Sequence, residues 1–348
     1  MRIVITGNMG YVGPQVVAQL RSTRPDAEIV GIDTGFFAHC LTGAATLPES
    51  RLKLQRFLDV RQVQRQDIEG ADAVILLAAI SNDPMGSAYA EITREINYEC
   101  CLRISKLAKE AGVGRVVFAS SCSVYGFAED GARTEDSTLN PLTAYAHSKI
   151  DTENALAPIA DESFLVTCLR FPTACGMSPR LRLDLVLNDF VASAVATGRI
   201  EILSDGTPYR PLIDTKDMAL AIDWALGRRA DQGGAFLAIN AGSNEANYQI
   251  RDLAERVRAV LPDVSVSVNE QAAPDKRSYR VDFSKYRSLA PDHQPRVPLE
   301  TSIRELVQGL EAMEFADASF RESGLIRLKA LGKLRESGRL NENLEWTR

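Results

Sequence analysis

Tyr145 and Lys149 stand four residues apart in Tyr-Ala-His-Ser-Lys, a spacing that sets a phenol and an ammonium on one face of a helix. A free phenol titrates near about 10, and a nearby cation favours its ionised form, so such a pair exchanges protons nearer neutral pH. Ser121 lies some two dozen residues upstream and is read with them. His147 falls between the pair in sequence but on another helical face, which makes it structural or solvent-exposed. His39 and His293 have no Cys or carboxylate at ligand spacing, so no metal site is expected.

A proton-transfer pair needs a cofactor and a substrate beside it. Arg2 to Thr6 is a short β-branched run that leads into Gly7, Gly10 and Gly13, and Val12 to Leu20 reads as a helix. In that context the glycines let the backbone approach a pyrophosphate, which the helix amino end stabilises with unpaired N–H groups and its dipole. Their spacing, GxxGxxG, departs from the GxGxxG fingerprint. The next strand, Glu28 to Ile32, ends on Asp33, twenty residues after Gly13. A carboxylate there accepts hydrogen bonds from ribose hydroxyls and repels a 2′-phosphate, which favours NAD over NADP. Ala73 to Ala79 and Arg115 to Ser120 are continuous apolar strands separated by a helical stretch of about Ala88 to Ala111. Strands and helices alternate to about residue 175, the pattern of a doubly wound parallel α/β sheet whose ligands sit at the carboxyl ends of its strands. Asp59, Ala78, Ala79, Ser120 and Ser121 fall at such ends.

Beyond Arg170 the character changes. Phe171-Pro172-Thr173 closes a strand, and Met177 to Leu187 suits a loop and helix lying over the cleft. A strand is expected at Ala235 to Asn240, and an amphipathic helix at about Ala316 to Ser337, packed on its own body. The expected organisation is a nucleotide-binding part over residues 1–175, a mainly substrate-facing lobe over 176–315 with some elements returning to the large sheet, and a helical tail over 316–348. With 348 residues, 45% of them hydrophobic, the chain can bury a sizeable core. A net charge of -6 with dispersed Lys and Arg gives no electrostatic reason to expect nucleic acid. The six cysteines show no CxxC spacing and read as buried free thiols of a reducing compartment. No leader and no long apolar run is seen, so no membrane partner and a cytoplasmic location are expected.

Taken together, these residues resemble the extended short-chain dehydrogenase/reductase family, in its NAD-dependent nucleotide-sugar epimerase and dehydratase branch. The resemblance covers about residues 1 to 312. It rests on Thr-Gly-Asn-Met-Gly-Tyr-Val-Gly at 6 to 13, Asp33, Asp59-Val60, Leu77-Ala78-Ala79, Asn97, Ser120-Ser121-Cys122-Ser123-Val124-Tyr125-Gly126, Tyr145-x-x-x-Lys149 and Arg170-Phe171-Pro172-Thr173. It implies a Rossmann-like doubly wound parallel sheet with a smaller C-terminal substrate-binding lobe, NAD as cofactor, a nucleotide-diphosphate sugar as substrate and a homodimer. It also implies residue roles. Tyr145 acts as acid and base on a sugar hydroxyl or ketone, Lys149 holds the nicotinamide ribose and lowers the Tyr145 pKa, and Ser121 bonds the reacting oxygen. Gly7, Met9, Gly10, Tyr11, Val12 and Gly13 form the cofactor turn. Asp33 holds the adenosine ribose, Asp59 and Val60 the adenine, and Leu77, Ala78, Ala79, Asn97, Pro172 and Thr173 complete the cofactor surface. Ser121, Cys122, Ser123, Asn188, Arg210 and Arg277 face the substrate, the two arginines being suited to phosphate oxygens.

The most informative departure is at Cys122 and Ser123. Relatives that eliminate water as 4,6-dehydratases carry Asp-Glu there, and neither Cys nor Ser replaces that acid–base pair. Epimerases and ketoreductases need only the Ser, Tyr and Lys set. Asp33 disfavours the NADPH that a net reductase commonly uses, so an epimerase working through a C4 keto intermediate leads. A 4-keto-sugar reductase, a redox-silent NAD-binding sensor or scaffold, and an enzyme for small alcohols, steroids or aldehydes are the alternatives.

Overall fold

The structure is a computed structural model that describes residues 1–128, 131–269, 271–272 and 278–347. Its centre is a seven-stranded sheet. The strand order is Phe236–Asn240, Leu165–Phe171, Arg115–Ser121, Ala73–Leu76, Arg2–Thr6, Glu28–Asp33, Leu54–Phe57, with every neighbouring pair parallel. The inner strands are continuous apolar runs because both faces are covered: Ala73–Leu76 and Leu165–Phe171 are buried at every position. On one face, Val16 and Leu20 of the Gly13–Thr23 helix pack with Ile222 and Trp224 of the Thr215–Gly227 helix. On the other, Ile104 and Ala108 of the Cys100–Glu110 helix pack with Leu156 of the Ala144–Leu156 helix. The chain starts in the strand Arg2–Thr6 and winds outward, then returns to Ala73–Leu76 on its other side. This reversal opens a crevice at the carboxyl ends of the two strands, where ligands bind in doubly wound sheets.

A third apolar core lies beyond the sheet. It joins Leu187, Phe190 and Val191 of the Val186–Thr197 helix to Leu253 and Val257 of the Ile250–Val260 helix and to Ile303, Leu306 and Leu310 of the Leu299–Ala312 helix. Small sheets edge this lobe: Asn247–Gln249, Tyr209–Asp214 and Thr173–Cys175 form one, and Ser265–Val268 with Arg199–Ile202 another. The strand Phe236–Asn240 returns to the large sheet.

Two elements differ from the sequence expectation. The stretch read as one helix from Ala88 to Ala111 is split into Asp83–Ala88, Ala90–Arg94, a wide π-type turn at Glu95–Glu99 and Cys100–Glu110. The wide turn carries Asn97, whose amide reaches across to Ile80 and Ser148. The tail helix is shorter than expected: a single turn at Phe320–Glu322 precedes Arg327–Glu336, and Gly324, a poor helix former, lies between them. Leu331, Leu334, Leu340 and Leu344 of the tail are buried in the same core as Ile104. All six cysteines are buried and unpaired. No described helix is long and apolar enough to cross a membrane.

Candidate active site

The helix Ala144–Leu156 is fixed at both ends. Its cap, Thr143, accepts the Ala146 N–H at 3.1 Å and donates its own hydroxyl to Asp83 at 2.7 Å, which seats the first turn and Tyr145 against the start of the Asp83–Ala88 helix. Further along, Glu153 is buried and accepts from the Ser120 hydroxyl at 2.5 Å and from Nη2 of Arg170 at 2.6 Å. Arg170 also donates to the Tyr125 hydroxyl at 3.0 Å. This buried network ties the helix to the carboxyl ends of Arg115–Ser121 and Leu165–Phe171. As a result Tyr145, Lys149 and Ser121 line one cleft of about 710 Å³, within the range usual for ligand pockets.

Inside the cleft the Tyr145 side chain is hydrogen-bonded to Ser121. Burial pushes its phenol up to about 12, against the lowering effect of the Ser121 bond, with Asp83 raising it further and Arg182 lowering it. Lys149 is 3% exposed, and its Nζ donates to the Ala119 carbonyl at 2.8 Å. The ammonium lies 4.7 Å from the Phe118 ring centroid and 5.4 Å from that of Tyr145. Burial pushes it down to about 8. The expected lowering of the Tyr145 pKa by Lys149 is therefore corrected: desolvation dominates both groups and disfavours the charged form of each.

A stability consequence follows. Lys149 has a folded pKa of about 8 against an ordinary 10.5, so between those values the unfolded chain holds more protons and stability rises with pH. Replacing Lys149 by Met should therefore raise the melting temperature of NAD-free protein at pH 7 by roughly a few degrees. The gap to wild type should close as pH climbs from about 8 to 10.5. A melting temperature that falls at pH 7, or a gap that ignores pH, would show that the ammonium is not desolvated.

At the other end of the cleft the glycine turn lies under the sheet crevice. Gly7 has φ +78°, and a Cβ on it would sit 2.4 Å from the Ala78 nitrogen; on Gly13 it would sit 2.1 Å from the Asn8 carbonyl oxygen. Those two are glycine because the protein's own backbone fills the space. A Cβ on Gly10 would meet only the Gly7 oxygen, at 3.2 Å, so a side chain there would project toward the cleft a ligand enters. The Gly13–Thr23 helix has no acidic residue in its first turn, which leaves its amino end open to an anion. Asp33 accepts from Met9 N–H at 3.0 Å and Gly35 N–H at 2.7 Å. Both its oxygens keep lone pairs for further donors. Burial pushes this carboxyl up, partly offset by the two backbone bonds. Asp59 is held by Arg61, whose Nη2 donates to it at 2.7 Å. Asp59, Val60, Leu77, Ala78, Ala79, Pro172 and Thr173 line the same cleft as Gly7, Gly10, Tyr11, Val12 and Gly13. A pyrophosphate-accepting turn followed by an acceptor suited to ribose hydroxyls fits NAD.

Several sequence candidates lie elsewhere. Met9 is buried and its side chain is absent from the cleft wall, its N–H serving Asp33. Asn97 is fully buried, exchanges two bonds with the Ile80 backbone at 2.8 and 3.0 Å, and donates to Ser148 at 3.1 Å. Its role is to hold the cleft loop against the helix of Tyr145. Cys122 is fully buried, its thiol donating to the Arg170 carbonyl at 3.1 Å instead of facing the cleft, whereas Ser123 does line it. Asn188, read as a substrate contact, is likewise withdrawn. Its oxygen accepts from Gly176 N–H and its nitrogen donates to the Tyr11 hydroxyl and the Arg182 carbonyl. Arg210 lines the cleft, and Arg277 lies outside the described residues.

Sequence reasoning did not single out Arg182. It is 5% exposed, lines the cleft, pairs with Asp184 at 2.8 Å and donates to the Ser81 hydroxyl at 3.0 Å. The only signal was its place in the 177–187 stretch expected over the cleft. Asn82, which donates to Asp184 at 2.6 Å, and Thr143 were also missed.

The family profile described as "NAD dependent epimerase/dehydratase family" matches residues 3–242. A UDP-glucose 4-epimerase of Neisseria gonorrhoeae is 29% identical over 283 residues, which are 73% of this chain and 80% of that protein. UDP-glucuronic acid decarboxylase 6 of Arabidopsis thaliana is 25% identical, covering 90% of this chain and 88% of the other. Among solved structures, a UDP-glucose-4-epimerase from Stenotrophomonas maltophila with bound NAD and formylated UDP-arabinopyranose superposes with a TM-score of 0.77. It is 20% identical and covers 91% of this chain and 100% of its own, a likeness of fold. The chain belongs to the NAD dependent epimerase/dehydratase family.

Proposed function

We propose that this member of the NAD-dependent epimerase/dehydratase family is an epimerase that inverts C4 of a nucleotide-activated hexose through a transient 4-ketone. The relatives named for UDP-sugars make UDP the first nucleotide to try. The observation that carries the reading is the composition of the cleft around Tyr145. It holds Tyr145, Ser121 and Lys149, but the position where an eliminating enzyme would need an extra acid is Cys122, turned into the core with its thiol pushed well above its ordinary pKa by burial.

When bound, NAD would take the hydride from C4 and return it. The remaining work falls to this chain's residues. Ser121 holds the C4 oxygen, and Tyr145 removes its proton and later gives one back. Burial pushes that phenol up to about 12, so Tyr145 first gives its proton to solvent to serve as the base, and the proton it then takes from the C4 hydroxyl is the one it returns to the ketone. Lys149 offers its ammonium to the nicotinamide ribose, and Asp33 accepts from the adenosine ribose. Arg210, which lines the same cleft, suits the substrate diphosphate. Asp33 disfavours a phosphorylated cofactor, which supports a resident NAD over one exchanged at every turnover.

The test is a panel of UDP-, dTDP-, GDP- and CDP-hexoses incubated with the purified protein and no added reductant. The expected result is conversion of one sugar nucleotide to its C4 epimer. Absence of interconversion, together with stoichiometric consumption of NADH in the presence of a 4-keto sugar nucleotide, would replace the epimerase with a reductase.

A further inference from the structure

The tail brings a cation to the cleft that the reading above does not use. Arg327 opens the helix Arg327–Glu336 and is 2% exposed, yet it lines the same cleft as Gly10 and Asp33. Its Nη2 donates to the Arg180 carbonyl at 2.7 Å, and its guanidinium lies 4.6 Å from the Phe37 ring centroid. Its Nη1 is buried with no hydrogen-bond partner. The neighbouring arginines have counter-charges, Arg180 with Glu49 and Arg182 with Asp184, whereas Arg327 makes no ion pair among the described residues. Burial accordingly pushes it down to about 10. Asp184 acts on it at a distance without a direct ion pair; a buried cation so placed is costly to keep in a fold, and a ligand anion in the cleft would complete it.

The course of the tail indicates which anion. Its Trp346 indole donates to the Thr34 carbonyl, next to Asp33, at 2.7 Å and packs on Phe36 with ring centroids 5.9 Å apart. Arg61, paired with Asp59, donates to the carbonyls of Asn343 at 2.8 Å and Leu344 at 3.2 Å. Leu340 and Leu344 are buried in the core beneath. The tail is thus anchored along the ends of the strands Glu28–Asp33 and Leu54–Phe57, beside the residues suited to adenosine.

We propose that the C-terminal segment completes the dinucleotide site: Arg327 donates to the cofactor diphosphate, and the stretch that ends at Trp346 straps the adenosine end so that bound NAD leaves slowly. This rests on the family's NAD dependence and not on the epimerase reading. It deepens that reading, because an enzyme that returns its own hydride benefits from a cofactor that stays.

The experiment loads the full-length protein with labelled NAD, chases it with unlabelled NAD, and follows loss of label; UDP affinity is measured alongside. Loss of charge-assisted hydrogen bonds predicts release about 10- to 100-fold faster from Arg327→Met. Arg327→Lys, which keeps the charge but not the planar fork, should fall between Met and wild type. Trp346→Ala should also speed release, with UDP affinity unchanged in all three. Wild-type release rates in Arg327→Met, or weakened UDP binding with unaltered NAD release, would overturn the assignment, the latter by moving Arg327 to the substrate diphosphate. If Arg327→Met fails to fold, Arg327→Lys decides, and a wild-type release rate in it overturns the proposal. Unaltered release from Trp346→Ala would refute the strap. None of these readouts requires turnover, so their failure leaves the epimerase test standing.

Discussion

Tyr145→Phe should lower turnover by about 10²- to 10⁴-fold, the range of a lost general acid–base group, while NAD binding stays within a few-fold of wild type. The substitution keeps the ring that lies 5.4 Å from the Lys149 ammonium and removes only the hydroxyl that bonds to Ser121. The cleft walls and the glycine turn are untouched. Turnover and NAD affinity measured on the same preparation separate the two effects. Unaltered turnover would remove Tyr145 from the chemistry, and a parallel collapse of NAD binding would show that the hydroxyl matters for holding the cofactor instead.

The second large effect concerns stability. Glu153 and Arg170 are 3% and 6% exposed, and three contacts join them, two from Nε at 3.0 and 3.1 Å and one from Nη2 at 2.6 Å. Glu153→Ala removes the partner and strands the guanidinium in the core, where breaking a buried pair costs about 3–5 kcal/mol. Glu153→Gln retains the shape and one acceptor oxygen, so it should lose less. Urea unfolding of the three proteins at equal NAD saturation checks the order. Equal midpoints for Glu153→Ala and wild type would mean that Arg170 finds other partners. Because Ser120 also bonds to Glu153 at 2.5 Å, any surviving Glu153→Ala protein should show reduced turnover as well, through the helix that carries Tyr145.

The parts of the site that could be read from the sequence are those set by short-range spacing. Tyr145 and Lys149 share a helix, Gly7, Gly10 and Gly13 share one strand-to-helix turn, and Asp33 ends the following strand, so each set is positioned by backbone geometry alone. The parallel sheet was legible for the same reason, since its inner strands are uninterrupted apolar runs. Asn97, Cys122 and Asn188 show the limit. The family resemblance implies ligand contacts for them, but whether an amide or thiol faces a cleft or satisfies a buried backbone group depends on neighbours distant in sequence: Asn188 bonds to Tyr11, 177 positions away. Arg327 lies on the apolar stripe of its helix with Leu331 and Leu334, and only the fold reveals that this stripe borders the cleft. For the pKa of Tyr145, helical spacing gives proximity to Lys149 and says nothing of the burial that outweighs it.

The most direct test of the account follows a label at C4. The sugar nucleotide that the panel identifies is prepared with deuterium on C4 and incubated in ordinary water with the NAD-loaded protein and no added NADH. Hydride removal and return within one site predicts that the epimer forms with its deuterium still on C4. Washout of the deuterium to solvent, or retention with no primary isotope effect on the single-turnover rate of epimerisation, would contradict it.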